Sequence, residues 1–221
     1  MTTLSAPKPL TGPRAVWARR ILQLLLGLFL YGIGIALMVR AGIGVAPWDV
    51  LTQGISLRTG IPFGIVTNIV GGLVLLLWIP IRERPGLGTV GNVLLVGTSA
   101  QLGLNVIPQQ VVPLLQGVIF AGGLAVVALA TGLYIGARLG PGPRDGLMTG
   151  LHRRTGWRIW IVRTGIEVIV LIAGVLLGGQ FGIGTILFAL LIGPMVAVTL
   201  PLLRVPETPQ EEAATSEEAT A

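Results

Sequence analysis

Six long apolar runs dominate this 221-residue chain and restrict what it can fold into. An α-helix needs about 20 mainly apolar residues to cross the hydrocarbon core of a bilayer. Charged residues make up only 11% of the chain, against about 25% in soluble domains. We therefore predict an all-α membrane protein with six transmembrane helices, at Ile21–Val39, Ile61–Ile81, Thr89–Ile107, Leu114–Ala137, Trp157–Leu177 and Thr185–Leu203.

Composition excludes several classes of site. The chain has no cysteine and a single histidine, His152, so thiolate metal sites, cysteine nucleophiles and most histidine-based metal sites are excluded. No H-E-x-x-H motif or Ser–His arrangement suggests an intramembrane enzyme. We expect no metal, no cofactor and no enzymatic activity.

The positions of the basic residues indicate the orientation of the predicted helices. With a cytoplasmic N-terminus, twelve of the 15 Lys and Arg residues fall in cytoplasmic segments or at their edges, only Arg40 and Arg58 fall outside, and Arg163 lies within a span. Lys and Arg near span ends are retained on the cytoplasmic side. We expect both termini in the cytoplasm, and we attribute the net charge of +6 to orientation in a lipid bilayer and not to nucleic-acid binding.

The chain contains an internal duplication with an offset of 96 residues. Gly44–Gly60 and Gly140–Gly156 share eight of 17 positions, and Gly86–Gly97 and Gly182–Gly193 share six of 12, both without a gap. The matched positions include Pro47 and Pro143, Gly54 and Gly150, Arg58 and Arg154, Gly60 and Gly156, and Gly88 and Gly184.

Each half of the duplication holds three predicted spans, so the second half must enter the membrane in the opposite sense. We predict a cytoplasmic N-terminal tail at 1–15, inverted repeats at 16–110 and 111–204, and an acidic disordered cytoplasmic tail at 205–221. Inverted repeats are common in secondary transporters, whose substrate sites lie at the repeat interface.

Asp49 and Asp145 stand in the matched segment G-x-x-P-x-D-x-L-x-x-G, which follows the first span of each half. Proline favours the first turn of a helix, and an aspartate beside it complements the positive helix end. We therefore predict a short interfacial or re-entrant helix here. The two carboxylates either cap these helices or meet an ion or solute, and the sequence leaves both roles open.

Two further matched segments carry similar alternatives. Arg58 and Arg154 precede Gly60 and Gly156, a pattern typical of helix C-termini, and could instead pair with the aspartates. Thr89 and Thr185 follow two glycines at the start of a span, where they either cap the helix or help bind an anion or solute.

Arg163 and Glu167 lie four residues apart in the fifth span. Charges within a span usually face the bundle interior and often serve an ion or substrate path, so these residues form either an ion pair or a binding site. Asn68, in the second span, is a further solute-binding candidate, with helix–helix hydrogen bonding as the alternative.

The paired P-x-D-x-L and R-T-G segments, each followed by G-x-G-T, resemble those of the YczE/YitT-like family of bacterial integral membrane proteins, and the second copy is most similar to the YczE branch. The resemblance covers roughly residues 15–203. It implies a multi-pass protein of the bacterial cytoplasmic membrane and assigns no catalytic or ligand-binding residues.

From the inverted duplication we expect a small secondary transporter or permease for an unidentified small solute or ion. The alternative is a non-transport membrane scaffold or assembly factor for a partner complex, which the short loops and acidic tail favour. Glycine-rich bundles of this size often pair, so a homodimer is also left open, although no sequence feature marks a dimer face.

Overall fold

A computed structural model describes residues 13–206, which form nine α-helices and no strand. Six helical segments within this range are long and apolar enough to cross a membrane, which confirms the all-α prediction with six spans. Residues 1–12 and 207–221, and the expectations for them, lie outside the described residues. The helices are α1 (Pro13–Ala41), α2 (Pro47–Thr59), α3 (Phe63–Leu76), α4 (Trp78–Ile81), α5 (Leu87–Val106), α6 (Pro113–Gly136), α7 (Pro143–Thr155), α8 (Ile159–Leu176) and α9 (Ile183–Leu203).

Most predicted spans agree with the observed helices to within two residues at each end. The first is the exception, because α1 begins at Pro13 and not at Ile21. Its basic segment packs on the end of the described chain, where the buried Arg20 donates to the carbonyl of Pro206 at 3.3 Å. The second span is divided at Leu77 into α3 and the single turn of α4.

Helices α1 and α6 pack along each other at the centre, with α5 against α1 and α9 against α6. Glycines allow the central pair to approach closely. A Cβ on Gly27 would lie 2.8 Å from the backbone nitrogen of Tyr134, and one on Gly123 would lie 3.0 Å from the carbonyl of Gly34. Small residues at such interfaces bring helix backbones together in lipid.

The short helices α2 and α7 begin at the two matched prolines and end at the two matched glycines. Gly60 and Gly156 adopt left-handed conformations, with φ of 73° and 71°, and their N–H groups donate to carbonyls four residues earlier. The N-terminal half of each short helix is buried in the bundle, while its C-terminal end is exposed. The predicted short helix after the first span of each half is confirmed.

Matched loops of the two halves bind each other reciprocally. The N–H of Gly88 donates to the carbonyl of Leu139 at 2.7 Å, and the N–H of Gly184 donates to the carbonyl of Ile43 at 2.8 Å. Gly88 and Gly184 are 96 residues apart, as are Ile43 and Leu139. The start of α5 is therefore joined to the segment before α7, and the start of α9 to the segment before α2.

Candidate functional site

The N-terminal ends of α2 and α7 meet in the middle of the bundle. Arg144 donates from Nη2 to Oδ1 of Asp49 at 3.4 Å, and the Asp49 residue is only 1% exposed. The Arg144 guanidinium carbon also lies 5.1 Å from the centre of the Trp48 ring. One ion pair and one cation–π contact thus connect the two halves, and the cation–π contact joins the matched positions 48 and 144.

The two matched aspartates have different partners. Asp49 faces the guanidinium of Arg144, whereas Oδ2 of Asp145 accepts a hydrogen bond from the Tyr134 hydroxyl at 2.7 Å. Burial raises the pKa of the Asp49 carboxyl, and the charge of Arg144 opposes that rise. Among the described hydrogen bonds, neither carboxylate caps a backbone N–H, so hydrogen-bonded capping does not explain their presence.

Tyr31 and Tyr134 pack against each other beside Asp145, to which the Tyr134 hydroxyl donates. Their rings lie 5.9 Å apart in an edge-on arrangement, at an angle of 81°. They come from the two central helices, α1 and α6, and are the only tyrosines in the chain.

Two cavities adjoin this centre. The larger, about 220 Å³, lies between α8 and α9, where Arg163, Glu167 and Phe188 line it. The smaller, about 60 Å³, lies between α3 and α5 and is lined in part by Thr67, Gly71 and Asn92. These three residues are the 96-residue counterparts of the three named for the larger cavity. Four residues border both cavities: Tyr31, Tyr134, Arg144 and Asp145.

Arg163 and Glu167 form an ion pair and also line the larger cavity. Nε of Arg163 lies 3.0 Å from Oε1 of Glu167, and the side chains are 51% and 27% exposed. Both alternatives left open by the sequence are thus compatible with this geometry. Because both side chains are partly exposed and line the cavity, the pair can be reached from that cavity.

The structure places the remaining sequence candidates away from both cavities. Thr89 and Thr185 are buried and accept hydrogen bonds from the N–H groups of Gly86 and Gly182, as helix caps. Asn68 links α3 to α5 by donating to Thr98. The side chains of Arg58 and Arg154 donate to the carbonyls of Leu177 and Pro80 and do not pair with the aspartates.

Sequence reasoning missed four residues of this centre: Tyr31, Trp48, Tyr134 and Arg144. Trp48 and Arg144 occupy matched positions of the duplicated segment but are different residue types. A comparison of the two halves that counts only identical residues therefore does not identify them. The sequence feature that could have pointed to Tyr31 and Tyr134 is that they are the only two tyrosines in the chain. The buried indole N–H of Trp48 has no hydrogen-bond partner among residues 13–206.

Comparisons with known proteins cover nearly all of the described chain. A protein-family model described as a family of unknown function, DUF6198, matches residues 18–201. An "Uncharacterized protein" of Haemophilus influenzae is 35% identical over 90% of this chain and 96% of its own length. The "Uncharacterized membrane protein YczE" of Bacillus subtilis is 30% identical over 79% of this chain and 82% of its own length. The resemblance to YczE found in the sequence motifs is thereby confirmed. No solved structure matches significantly.

Proposed function

This polytopic membrane protein belongs to the DUF6198 family, and on that premise we propose that it is a small secondary transporter or permease. It resides in the bacterial cytoplasmic membrane and moves a small solute or ion past the centre formed by Tyr31, Tyr134, Arg144 and Asp145. Residues 16–110 and 111–204 act as inverted repeats, with both termini in the cytoplasm.

The observation that carries this proposal is that the same four residues border two cavities between different helix pairs. A transporter that works by alternating access must present one site to two compartments in turn. A centre shared by two cavities supports this proposal, because a solute held there contacts both cavities. A scaffold has no need for charged side chains at such a position.

The reciprocal contacts support the inverted arrangement. When two matched segments exchange equivalent hydrogen bonds, as Gly88 and Gly184 do with Leu139 and Ile43, a two-fold relation between the halves is the simplest account. Three spans in each half then require opposite directions of insertion.

The difference between the two helix pairs supports alternation. α3 packs closely on α5, whereas its counterpart α8 packs on α2 and has little contact with α9 along their described lengths. The cavity is correspondingly larger between α8 and α9. We interpret this as one state of the cycle, in which one pair is closed and the matched pair is open.

Flux through proteoliposomes tests the function. The full-length chain is reconstituted, and uptake of radiolabelled methylammonium, acetate, glycine and sodium is measured against protein-free vesicles. We expect at least one probe to enter faster with the protein. Asp145→Asn should lower that uptake by about 10-fold or more, since a lost charged hydrogen bond corresponds to about 1.5–3 kcal/mol.

Glu83→Gln is the matched control, because Glu83 binds Arg153 and lines neither cavity. It should retain the uptake of the unmodified chain. Equal permeability of protein-containing and protein-free vesicles to the whole panel would contradict transport and favour the scaffold alternative.

Cysteine labelling tests the inverted arrangement separately. The chain has no cysteine, so a single introduced cysteine gives an unambiguous signal. Leu57 and Arg153 are matched positions at the exposed ends of α2 and α7. In intact cells, a membrane-impermeant maleimide should label Leu57→Cys and spare Arg153→Cys until the cells are lysed. Labelling of both from outside would refute the inverted repeat.

A further inference from the structure

The charged groups that line the larger cavity, together with the buried Asp49 beside them, leave one carboxylate without a cationic partner among the described residues. Arg144 faces Asp49, and Arg163 binds Glu167. Within the described part of the chain, the Asp145 carboxylate accepts a hydrogen bond from the Tyr134 hydroxyl alone. Among the described residues, no basic side chain lies within ion-pair distance of Asp145. Counted together with Asp49, which pairs with Arg144 without lining the cavity, these groups are two arginines and three carboxylates, and they carry one net negative charge when all are ionised.

The helix that carries Asp145 compensates this charge only in part. Asp145 is the third residue of α7, close to the positive end of the helix dipole. That end is equivalent to about half an elementary charge, which leaves the carboxylate under-compensated. Uncompensated charge within a membrane protein is costly and marks ion or substrate paths.

Aromatic rings surround the same space. Trp48, Phe188, Tyr31 and Tyr134 all line the larger cavity. Aromatic faces attract cations, and this attraction is used to recognise substituted ammonium groups. The rings also provide apolar surface against which methyl or methylene groups can be buried. A bare metal ion would gain little from such a lining, whereas an organic cation gains from both properties.

We propose that the solute is a small monovalent organic cation, an alkylated or primary ammonium, whose charge pairs with Asp145. This inference rests on the proposed transport function and names its substrate class. The volume of about 220 Å³ accommodates such a molecule, and its positive charge restores neutrality at the centre. An anion would add a second uncompensated charge, and a zwitterion would leave the net charge unchanged.

Binding measurements on the purified full-length chain test the substrate class without requiring flux. Isothermal titration calorimetry is performed with tetramethylammonium as the probe, and with acetate, glycine betaine and sodium as the matched anion, zwitterion and inorganic cation. We expect tetramethylammonium to bind about 10-fold or more tightly than each of the others. Asp145→Asn should weaken its binding by about 10-fold or more.

Two further variants separate loss of the charge from loss of the fold. Asp145→Glu keeps the charge and should bind more tightly than Asp145→Asn, whereas Glu83→Gln should bind as the unmodified chain does. If acetate or glycine betaine binds more tightly than tetramethylammonium, or if Asp145→Asn leaves tetramethylammonium binding unchanged, the cation assignment is wrong.

The binding and flux results are distinguishable from each other. Uptake of acetate or glycine without binding of tetramethylammonium would overturn the cation assignment and leave transport standing. Tetramethylammonium binding that depends on Asp145, together with vesicle permeability equal to that without protein, would overturn transport and leave the cation site standing.

Discussion

The helix pairs α3–α5 and α8–α9 occupy matched positions in the duplicated chain but pack differently. α3 and α5 lie in close contact, whereas α8 packs on α2, and the larger cavity lies beside α9. The pairs share the glycine–threonine start of the second helix. Their difference therefore arises from the residues along the interface and not from how the helices begin.

Glycines and polar side chains join α3 to α5. The N–H of Gly64 donates to Oε1 of Gln101 at 3.0 Å, and Nδ2 of Asn68 donates to Oγ1 of Thr98 at 3.1 Å. Such hydrogen bonds and close backbone contacts stabilise helix pairs in lipid, where the hydrophobic effect cannot.

The matched positions on α8 and α9 lack this set. Counterparts of Gly64, Asn68, Thr98 and Gln101 are Trp160, Thr164, Pro194 and Ala197. A bulky ring replaces a glycine, and two hydrogen-bonding side chains become a proline and an alanine. One pair is thus held by hydrogen bonds and close backbone contacts that the matched pair lacks, a difference that supports the proposed alternation.

Substitution of the matched glycines Gly97 and Gly193 should give the largest difference between the two pairs. A Cβ on Gly97 would collide with the carbonyl of Gly64 and the amide of Asn68, whereas one on Gly193 meets nothing within 4 Å. We expect Gly97→Leu to lower the melting temperature by about 10 °C, because overpacking costs about 1–3 kcal/mol or more. Thermal unfolding in detergent measures this, and a Gly193→Leu shift of similar size would refute the comparison.

Gly193→Leu should instead impair function, since Gly193 lines the larger cavity. The added side chain occupies space beside the shared centre while the fold is retained. We expect tetramethylammonium affinity and probe uptake to fall by about 10-fold, a loss of about 1.4 kcal/mol. Unchanged binding would show that this cavity is not the path to Asp145.

The Arg163–Glu167 pair offers a smaller contrast, because its counterparts, Thr67 and Gly71, carry no charge. Arg163→Gln and Glu167→Gln should each change the melting temperature less than Gly97→Leu does, because the pair joins two turns of one helix and does not hold two helices together. Uptake should fall by about 3-fold if the pair contacts the solute. A large drop in melting temperature with normal uptake would make the pair purely structural.

Asn68→Leu should produce the smallest effect. It removes two hydrogen bonds from Nδ2 to α5, one to the Leu94 carbonyl and one to the Thr98 hydroxyl, and such bonds average about 0.6 kcal/mol each in membrane bundles. We expect the melting temperature to fall by about 3 °C, and uptake to be unchanged because Asn68 lines neither cavity. Loss of uptake would instead indicate that Asn68 binds the solute.

The sequence was sufficient to predict the helices but not the full set of contacts around Asp49, Arg144 and Asp145. Spans follow from apolar length, and the short helices α2 and α7 follow from proline at the start and left-handed glycine at the end, which are local properties. Asp49, Asp145, Arg163 and Glu167 were also identified, because charges in an apolar chain are conspicuous.

The Arg144–Asp49 contact could not be predicted, since it joins residues 95 positions apart and depends on how the two short helices meet. The nearest sequence hypothesis paired each aspartate with an arginine of its own helix, which the structure does not show. The separation of α8 from α9 is likewise a property of tertiary packing, where a few small or bulky residues decide between competing helix partners.

The reciprocal hydrogen bonds at Ile43 and Leu139 have a consequence for biosynthesis. The Ile43 carbonyl is made 141 residues before its partner, the N–H of Gly184 (184 minus 43). At ribosomal rates of about 5–20 residues per second, the first half waits on the order of ten seconds for that partner. During this interval, the Ile43 carbonyl before α2 lacks its hydrogen bond to the N–H of Gly184. The first half therefore stays without this contact, and accessible to insertion factors or chaperones, until residue 184 has been made.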